Sequence, residues 1–104
     1  MFDWLWKNMN IRAHIFVTGK VQGVFFRATT RSEAQNLNVV GWVRNVSNGR
    51  VEAIFEGKRE DVEQMIDFCR IGPREAHVSR TDVRWGQYSG EFTDFKIKKD
   101  LFCN

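Results

Sequence analysis

The sequence has few cysteines, little excess charge and no long apolar run. Its 104 residues contain two cysteines, which fit neither a zinc site nor a dense disulfide scaffold. The 16 basic and 13 acidic residues give a net charge of +3, a mild excess that supports a small phosphate ligand more than a nucleic acid. Repeats, low-complexity tracts and internal linkers are absent as well. Together with 42% apolar residues, these absences predict one compact domain around a single core.

The two cysteines, Cys69 and Cys103, are expected to be free thiols of a cytoplasmic protein. A single bridge between them, which would tie down the C-terminal tail, is the alternative. The two histidines, His14 and His77, are isolated in the sequence, and we assign neither a role.

An apolar extension, residues 1–9, precedes the first strand pattern. It contains Trp4, Leu5 and Trp6 around one lysine. It is too short to span a bilayer and lacks the long apolar region and cleavage site of a secretory signal. We expect an appendage that is poorly ordered or packed locally, with a membrane or partner contact through the two tryptophans as the alternative.

The hydrophobic period changes several times along the chain, which separates strands from helices. Two strand patterns flank Ser47-Asn48-Gly49, a strong hairpin signal because Asn and Gly tolerate positive φ. Gly72-Pro73 ends the second helical pattern. The predicted elements are a strand from residue 11, a helix over 27–37, strands over 39–46 and 50–56, a helix over 58–70, and strands over 79–85 and 92–97.

This order of elements is a split βαβ pair, which predicts an α+β fold. The expected architecture is a ferredoxin-like βαββαβ sandwich, an antiparallel sheet with two helices on one face, plus a short extra C-terminal strand. Residues 10–99 form the expected domain, between the extension 1–9 and a C-terminal tail, 100–104.

Residues 19–27, Gly-Lys-Val-Gln-Gly-Val-Phe-Phe-Arg, have the parts of a phosphate-binding loop. Glycines let backbone N–H groups turn inward, and a helix that begins near Phe25 or Phe26 adds unpaired N–H groups at the positive end of its dipole. The guanidinium of Arg27 can bind two phosphate oxygens at once. The predicted phosphate-binding residues are Val21, Gln22, Gly23, Val24, Phe25, Phe26 and Arg27.

Two motifs carry a resemblance to a known family. Residues 17–27, Val-Thr-Gly-Lys-Val-Gln-Gly-Val-Phe-Phe-Arg, resemble the first signature of the acylphosphatases; Gly41-Trp42-Val43-Arg44-Asn45, followed by Gly49, Val51 and Gly57, resembles the second. The likeness extends over nearly all of residues 11–98.

The resemblance implies hydrolysis of small acyl phosphates to a carboxylate and inorganic phosphate, without a metal or other cofactor. It places the family's catalytic arginine at Arg27 and its asparagine at Asn45. Inorganic phosphate would be both product and competitive inhibitor. We expect a cytoplasmic monomer with no nucleic-acid or membrane partner.

The chemistry of Asn45 fits this expectation. An amide does not bind protons near neutral pH and cannot be a general base, but it can hold a water molecule in line with the phosphorus. No His, Asp or Glu occupies a matched position of either motif. Our hypothesis, as proposed for the family, is that the substrate phosphate itself takes the proton.

Phe25 is a departure within the first motif, because some family members carry a small residue or cysteine there. A bulky ring at Phe25 would narrow or cover the loop, so we expect it to change the preferred substrate size. It removes no N–H donor, so phosphate binding is expected to survive.

The alternative function is a noncatalytic module on the same fold, either phosphate-sensing or RNA-binding. RNA recognition on such a sheet normally uses paired exposed aromatics in a basic-Gly-aromatic run, which the central strand patterns lack. Trp42 and Trp85 are expected in the core or on a sheet face. A domain of a larger maturation enzyme is also disfavoured, because the chain ends soon after the expected domain.

Overall fold

The computed structural model describes residues 2–102 of the chain. From the first predicted strand to the last, the order of strands and helices is the predicted one, and a helix in the N-terminal extension is added to it. The helices are α1 (Phe2–Asn8), α2 (Phe26–Asn36) and α3 (Arg59–Ile71), and the strands are β1 (Asn10–Lys20), β2 (Val40–Asn45), β3 (Val51–Lys58), β4 (His77–Gly86) and β5 (Phe95–Ile97), with a 3₁₀ turn at Ser47–Gly49 between β2 and β3.

The turns form where the sequence predicts them. Between β2 and β3, Asn48 and Gly49 have φ of 67° and 73°, the left-handed backbone that Asn and Gly tolerate best. Gly72, with φ 75°, follows the last residue of α3, and its N–H donates to the Phe68 carbonyl.

The five strands form one sheet in the order β4-β1-β3-β2-β5. The four strands of the βαββαβ unit pair antiparallel, whereas the extra strand β5 pairs parallel with β2. The parallel pair arises because the chain leaves β4 at one edge, crosses the sheet in residues 87–94 and returns along the opposite edge in the reverse direction.

The crossing segment, residues 87–94, is fastened to the sheet by one buried carboxylate. Glu56 has no exposed surface, and it accepts hydrogen bonds from Ser89 Oγ and N, from Gly90 N and from Arg12. A buried charge needs such partners to be tolerated. The crossing therefore covers part of the sheet face opposite the helices.

Both α2 and α3 pack on the other face of the sheet. Ala13, Ile15 and Val17 of β1 are fully buried there, while the side chains between them, His14 and Phe16, are only half-buried. This alternation of period two sets the core side of the sheet. The core contains Ala13, Ile15 and Val17 of β1, Phe26 and Ala34 of α2, Val62, Met65, Ile66 and Cys69 of α3, and Val43, Val51, Ala53 and Phe55 of β2 and β3.

Cys69 is a core residue, and burial raises the pKa of its thiol, so it stays protonated and unreactive near neutral pH. Cys103 lies outside the described residues. Cys69 is a free thiol, so the alternative of a bridge between the two cysteines is wrong.

Candidate active site

The loop between β1 and α2 buries two of its apolar side chains and exposes a third. Val21 and Val24 are 1% and 5% exposed, whereas Phe25 is 78% exposed. Gly23 and Phe25 have positive φ, 74° and 62°, which reverses the chain just before α2. Within residues 2–102, no backbone carbonyl accepts a hydrogen bond from the N–H groups of residues 22–27. A loop with several free N–H groups at a helix N-terminus suits an anion.

The role of Gly19 differs from the one predicted from the sequence, which is to turn the loop backbone. The residue lies within β1, at an irregularity in the pairing with β4. A Cβ atom there would clash with the carbonyl oxygen of His77. Gly19 therefore permits close approach of two strands, and the backbone reversal of the loop depends on the residues that follow it.

A cleft of about 340 Å³ opens beside this loop. Its volume is in the range of pockets for small ligands. The lining residues are Val21, Gly23, Phe25, Phe26, Arg27, Ala28 and Ile97. Five of the seven predicted phosphate-binding residues are among them; Gln22 and Val24 are not.

Arg27 lies in the first turn of α2 and reaches the C-terminal tail. One Nη atom donates to Oδ1 of Asp100 at 3.0 Å, and both side chains are about one-third exposed. An ion pair of this exposure contributes little to stability. The remaining donors of the guanidinium fork are free to face an anion in the cleft.

Asn45 is the last residue of β2, and its side chain points to the helix side of the sheet. It is 6% exposed, while its neighbour Arg44 is half-buried on the opposite face. The Oδ1 atom of Asn45 is buried without a hydrogen-bond partner among the described residues. A buried acceptor in this state costs about 1–3 kcal/mol, so the fold keeps an uncompensated amide oxygen at this strand end.

Gln22 joins the loop to the strand end that holds Asn45. Its Nε2 donates to the carbonyl oxygens of Val46 and Arg50, each at 2.9 Å. The sequence predicts Gln22 as a phosphate-binding residue, and the structure adds these two side-chain hydrogen bonds. Its two acceptors are distant in the sequence, and no local pattern indicates them.

The C-terminal tail makes the second connection between the two halves of the site. The Leu101 N–H donates to the Asn45 carbonyl oxygen at 2.9 Å, while the preceding Asp100 contacts Arg27. No motif in the sequence points to the tail. Thus Arg27 and Asn45 are connected through Gln22 on one side and through residues 100–101 on the other.

A network of charged side chains lies next to the site, on the open face of the sheet. Glu52 accepts from Arg44 Nε at 2.7 Å and contacts His14 Nε2 at 2.6 Å. Burial alone would raise the pKa of Glu52, but the hydrogen bonds and charges of Arg44 and His14 outweigh it, and the pKa is lowered. The Glu52 carboxylate is therefore ionised, and it is bonded to side chains of the neighbouring strands.

Two further observations concern the described part of the chain. No group of three or more His, Cys, Asp and Glu side chains could hold a metal ion there. Of the helices α1 to α3 as described, none is long and apolar enough to cross a bilayer.

Comparison with known proteins gives consistent matches over most of the chain. The family model described as Acylphosphatase matches residues 13–97. A curated acylphosphatase of Syntrophus aciditrophicus (strain SB) is 56% identical over 89 residues, which cover 86% of this chain and 93% of that protein. The structure of an acylphosphatase from Coxiella burnetii superposes with a TM-score of 0.81 at 35% identity and covers 86% of this chain and 93% of its own.

A likeness to a part of a much larger protein is also present. Full-length HypF, in a phosphate- and nucleotide-bound form, superposes with a TM-score of 0.82 at 30% identity. The match covers 90% of this chain and 12% of that one.

Proposed function

The chain belongs to the acylphosphatase family, and from this premise we propose how its own residues hydrolyse acyl phosphates. The observation that carries the proposal is the state of Asn45. Its buried Oδ1 lacks a partner among residues 2–102, and Gln22 ties its strand end to the loop of free N–H groups. These two observations support a water site at Asn45 and an anion site at the loop.

The substrate phosphate binds to the loop and to Arg27. The N–H groups of residues 22–27 and the positive end of α2 supply donors that need no rearrangement. The Arg27 guanidinium adds charge-assisted hydrogen bonds, each worth roughly 1.5–3 kcal/mol when well formed. Since these donors surround the phosphoryl oxygens, they stabilise the charge that shifts onto them in the transition state.

Asn45 holds the attacking water through Oδ1. The water oxygen forms a bond to phosphorus while the bond between phosphorus and the acyl oxygen breaks, and the carboxylate leaves. One proton of the water moves to a phosphoryl oxygen of the substrate, so the products are a carboxylate and dihydrogen or monohydrogen phosphate. The carboxylate is a good leaving group, so no strong acid is required.

The direct test is metal-free hydrolysis of benzoyl phosphate, measured with and without chelator, and inhibition by inorganic phosphate. We expect chelator to leave the rate unchanged and phosphate to compete with substrate. Activity that vanished with chelator would overturn the metal-free reaction.

Asn45→Ala tests the water site separately. We expect kcat to fall by about 10²-fold or more, because a positioning interaction of the transition state is lost, with little change in the inhibition constant of phosphate. Asn36→Ala, at the exposed end of α2, is the matched control and should retain full activity. Near-normal turnover by Asn45→Ala would remove Asn45 from the mechanism.

Arg27→Ala should instead weaken phosphate binding and turnover together.

The RNA-binding alternative gains no support from the open face of the sheet. The rings of Phe16 and Trp42 lie there, but Arg50 is 4.7 Å from the Phe16 centroid, and Arg44 and Lys98 are 4.7 Å and 4.4 Å from the Trp42 centroid. Bases that stack on aromatic rings need a free ring face. A gel shift with mixed oligonucleotides beside the hydrolysis assay distinguishes the two functions.

A further inference from the structure

The most exposed large apolar side chain among residues 4–102 belongs to the loop of the proposed active site. Phe25 is 78% exposed, so its ring gains almost nothing from burial in the fold. Its backbone has φ 62° and ψ 21°, a conformation that is unfavourable for a bulky residue and that Asn or Gly adopts at lower cost. Stability therefore does not explain a phenylalanine here, and strained residues of this kind cluster at ligand sites.

Phe25 lines the cleft together with Arg27. The apolar part of the lining also includes Phe26 and Ile97. Asn45 is not among the residues that line the cleft. In an in-line displacement the attacking water and the leaving group stand on opposite sides of phosphorus. With the water at Asn45, the acyl group extends into the cleft, towards Phe25.

We propose that Phe25 recognises the acyl group, and that the site prefers acyl phosphates whose acyl group is aromatic or bulky and apolar. The inference rests on the function proposed above and adds a substrate class to it. An apolar acyl group that covers the ring removes apolar surface of both partners from water, and an aromatic one adds a ring–ring contact. An acetyl group is too small to cover the ring.

The sequence alone suggests the opposite effect of Phe25. In that interpretation the ring narrows the loop and hinders large substrates. The two effects differ in sign. Removal of a recognising ring lowers activity towards a bulky apolar substrate relative to a small one, whereas removal of an obstructing ring raises it.

The experiment compares kcat/KM for benzoyl phosphate with kcat/KM for acetyl phosphate. Both substrates carry the same phosphate, so the ratio of the two values isolates the acyl group, and intrinsic reactivity cancels when a variant is compared with the wild-type protein. Phe25→Gly removes the ring and relieves the backbone strain, and Phe25→Leu keeps an apolar side chain without a ring. Trp4→Ala is the matched control, because Trp4 is also an exposed aromatic residue, 67% exposed, and lies in α1.

We expect the benzoyl-to-acetyl ratio to fall about tenfold in Phe25→Gly, which corresponds to 1.4 kcal/mol, and to fall less in Phe25→Leu. The Trp4→Ala ratio should equal that of the wild-type protein. A ratio that is unchanged or raised in both Phe25 variants, with hydrolysis of both substrates by the wild-type protein, overturns the role of Phe25 and leaves the proposed function standing. A wild-type protein that hydrolyses neither substrate overturns both.

Discussion

At the scale of single residues, Asp100 is an acidic group in direct contact with Arg27 of the proposed site. Its Oδ1 lies 3.0 Å from Arg27 Nη1, where it competes with a phosphate for the same guanidinium. A carboxylate beside the site also raises the question of a general base. The mechanism proposed here assigns the proton to the substrate, so Asp100 is not required for turnover.

Asp100→Asn separates these two roles. We expect the variant to keep its kcat and to bind inorganic phosphate about two- to fivefold more tightly, because an exposed ion pair of roughly 0.5–1 kcal/mol no longer competes. The measurement is the inhibition constant of phosphate together with kcat for benzoyl phosphate. Asp67→Asn, on the exposed side of α3, is the control. A large loss of kcat in Asp100→Asn alone would identify Asp100 as a base.

At the scale of elements, the site depends on how the β1–α2 loop is joined to the end of β2. Gln22 supplies two hydrogen bonds across this junction, one to the Val46 carbonyl and one to the Arg50 carbonyl. Its removal would leave the carbonyl of the buried Val46 without the Gln22 donor, whereas the Arg50 carbonyl would keep the hydrogen bond from the Val46 N–H.

Gln22→Ala should therefore lower both stability and catalysis. We expect the free energy of unfolding to fall by about 1–3 kcal/mol, and kcat to fall more than phosphate affinity, since the loop keeps its own N–H groups but loses its fixed distance from Asn45. Urea unfolding and steady-state kinetics measure the two effects. Gln35→Ala, exposed on α2, should change neither. A loss of stability with an unchanged kcat would show that Gln22 has only a structural role.

Much of the fold can be predicted from local patterns, because alternation and helical spacing report which face of each element is buried. The turn at Asn48 and Gly49 is predictable for a similar reason, since its positive φ values favour these residue types. The parallel pairing of β5 with β2 is not predictable in this way. It depends on a crossing segment held by Glu56, a contact between residues more than 30 positions apart in the sequence.

The residues of the proposed site also differ in whether local patterns predict them. Arg27 and Asn45 can be selected from motifs, and the helix start next to Phe25 from its spacing. The bonds of Gln22, Asp100 and Leu101 arise only when distant segments meet, so no local pattern indicates them. The positive φ of Phe25 is also unpredictable from its residue type, because the preference of phenylalanine opposes it.

At the scale of the whole molecule, the N-terminal extension is an addition to the domain that we propose for residues 10–99. α1 contacts α3 through Trp6, whose ring centroid lies 3.9 Å from the Arg59 guanidinium carbon; the Trp85 centroid lies 4.2 Å from the same carbon. The Met9 carbonyl oxygen accepts from the Arg59 N–H. A contact of the extension with a membrane or partner stays a prediction.

Deletion of residues 1–8 should leave a folded, active domain. It removes one cation–π contact, worth about 0.5–1 kcal/mol at an exposed site, which corresponds to a fall of roughly 2–8 °C in Tm for a domain of this size. Thermal unfolding and kcat/KM for benzoyl phosphate provide the measurement, and Trp6→Ala should reproduce most of the change in Tm. A deletion variant that failed to fold, or lost most of its activity, would place the domain boundary before residue 9.

The acid stability of the whole fold should depend on Glu52, which joins β3 to β1 and β2 through His14 and Arg44. Its pKa in the folded protein is lowered from the usual 4.5, so the stabilisation is complete above the unfolded value and is lost as the pH falls through the folded one. We expect the free energy of unfolding to decline below about pH 4.5, and to decline less steeply in Glu52→Gln. Glu60→Gln, exposed at the start of α3, should keep the wild-type slope; equal slopes in all three proteins would contradict the assignment.

The two ends of the described chain differ in their distance from the cleft. β1 has 11 residues and is therefore about 35 Å long, with α1 before its first residue and the proposed phosphate-binding loop after its last. The Leu101 N–H, in contrast, is bonded to Asn45 itself. A fusion partner or surface linker attached ahead of residue 1 would leave the cleft accessible, whereas one attached after residue 104 would begin a few residues from the proposed water site and would hinder substrate entry. Immobilised or tagged forms of this protein should therefore be joined through the N-terminus.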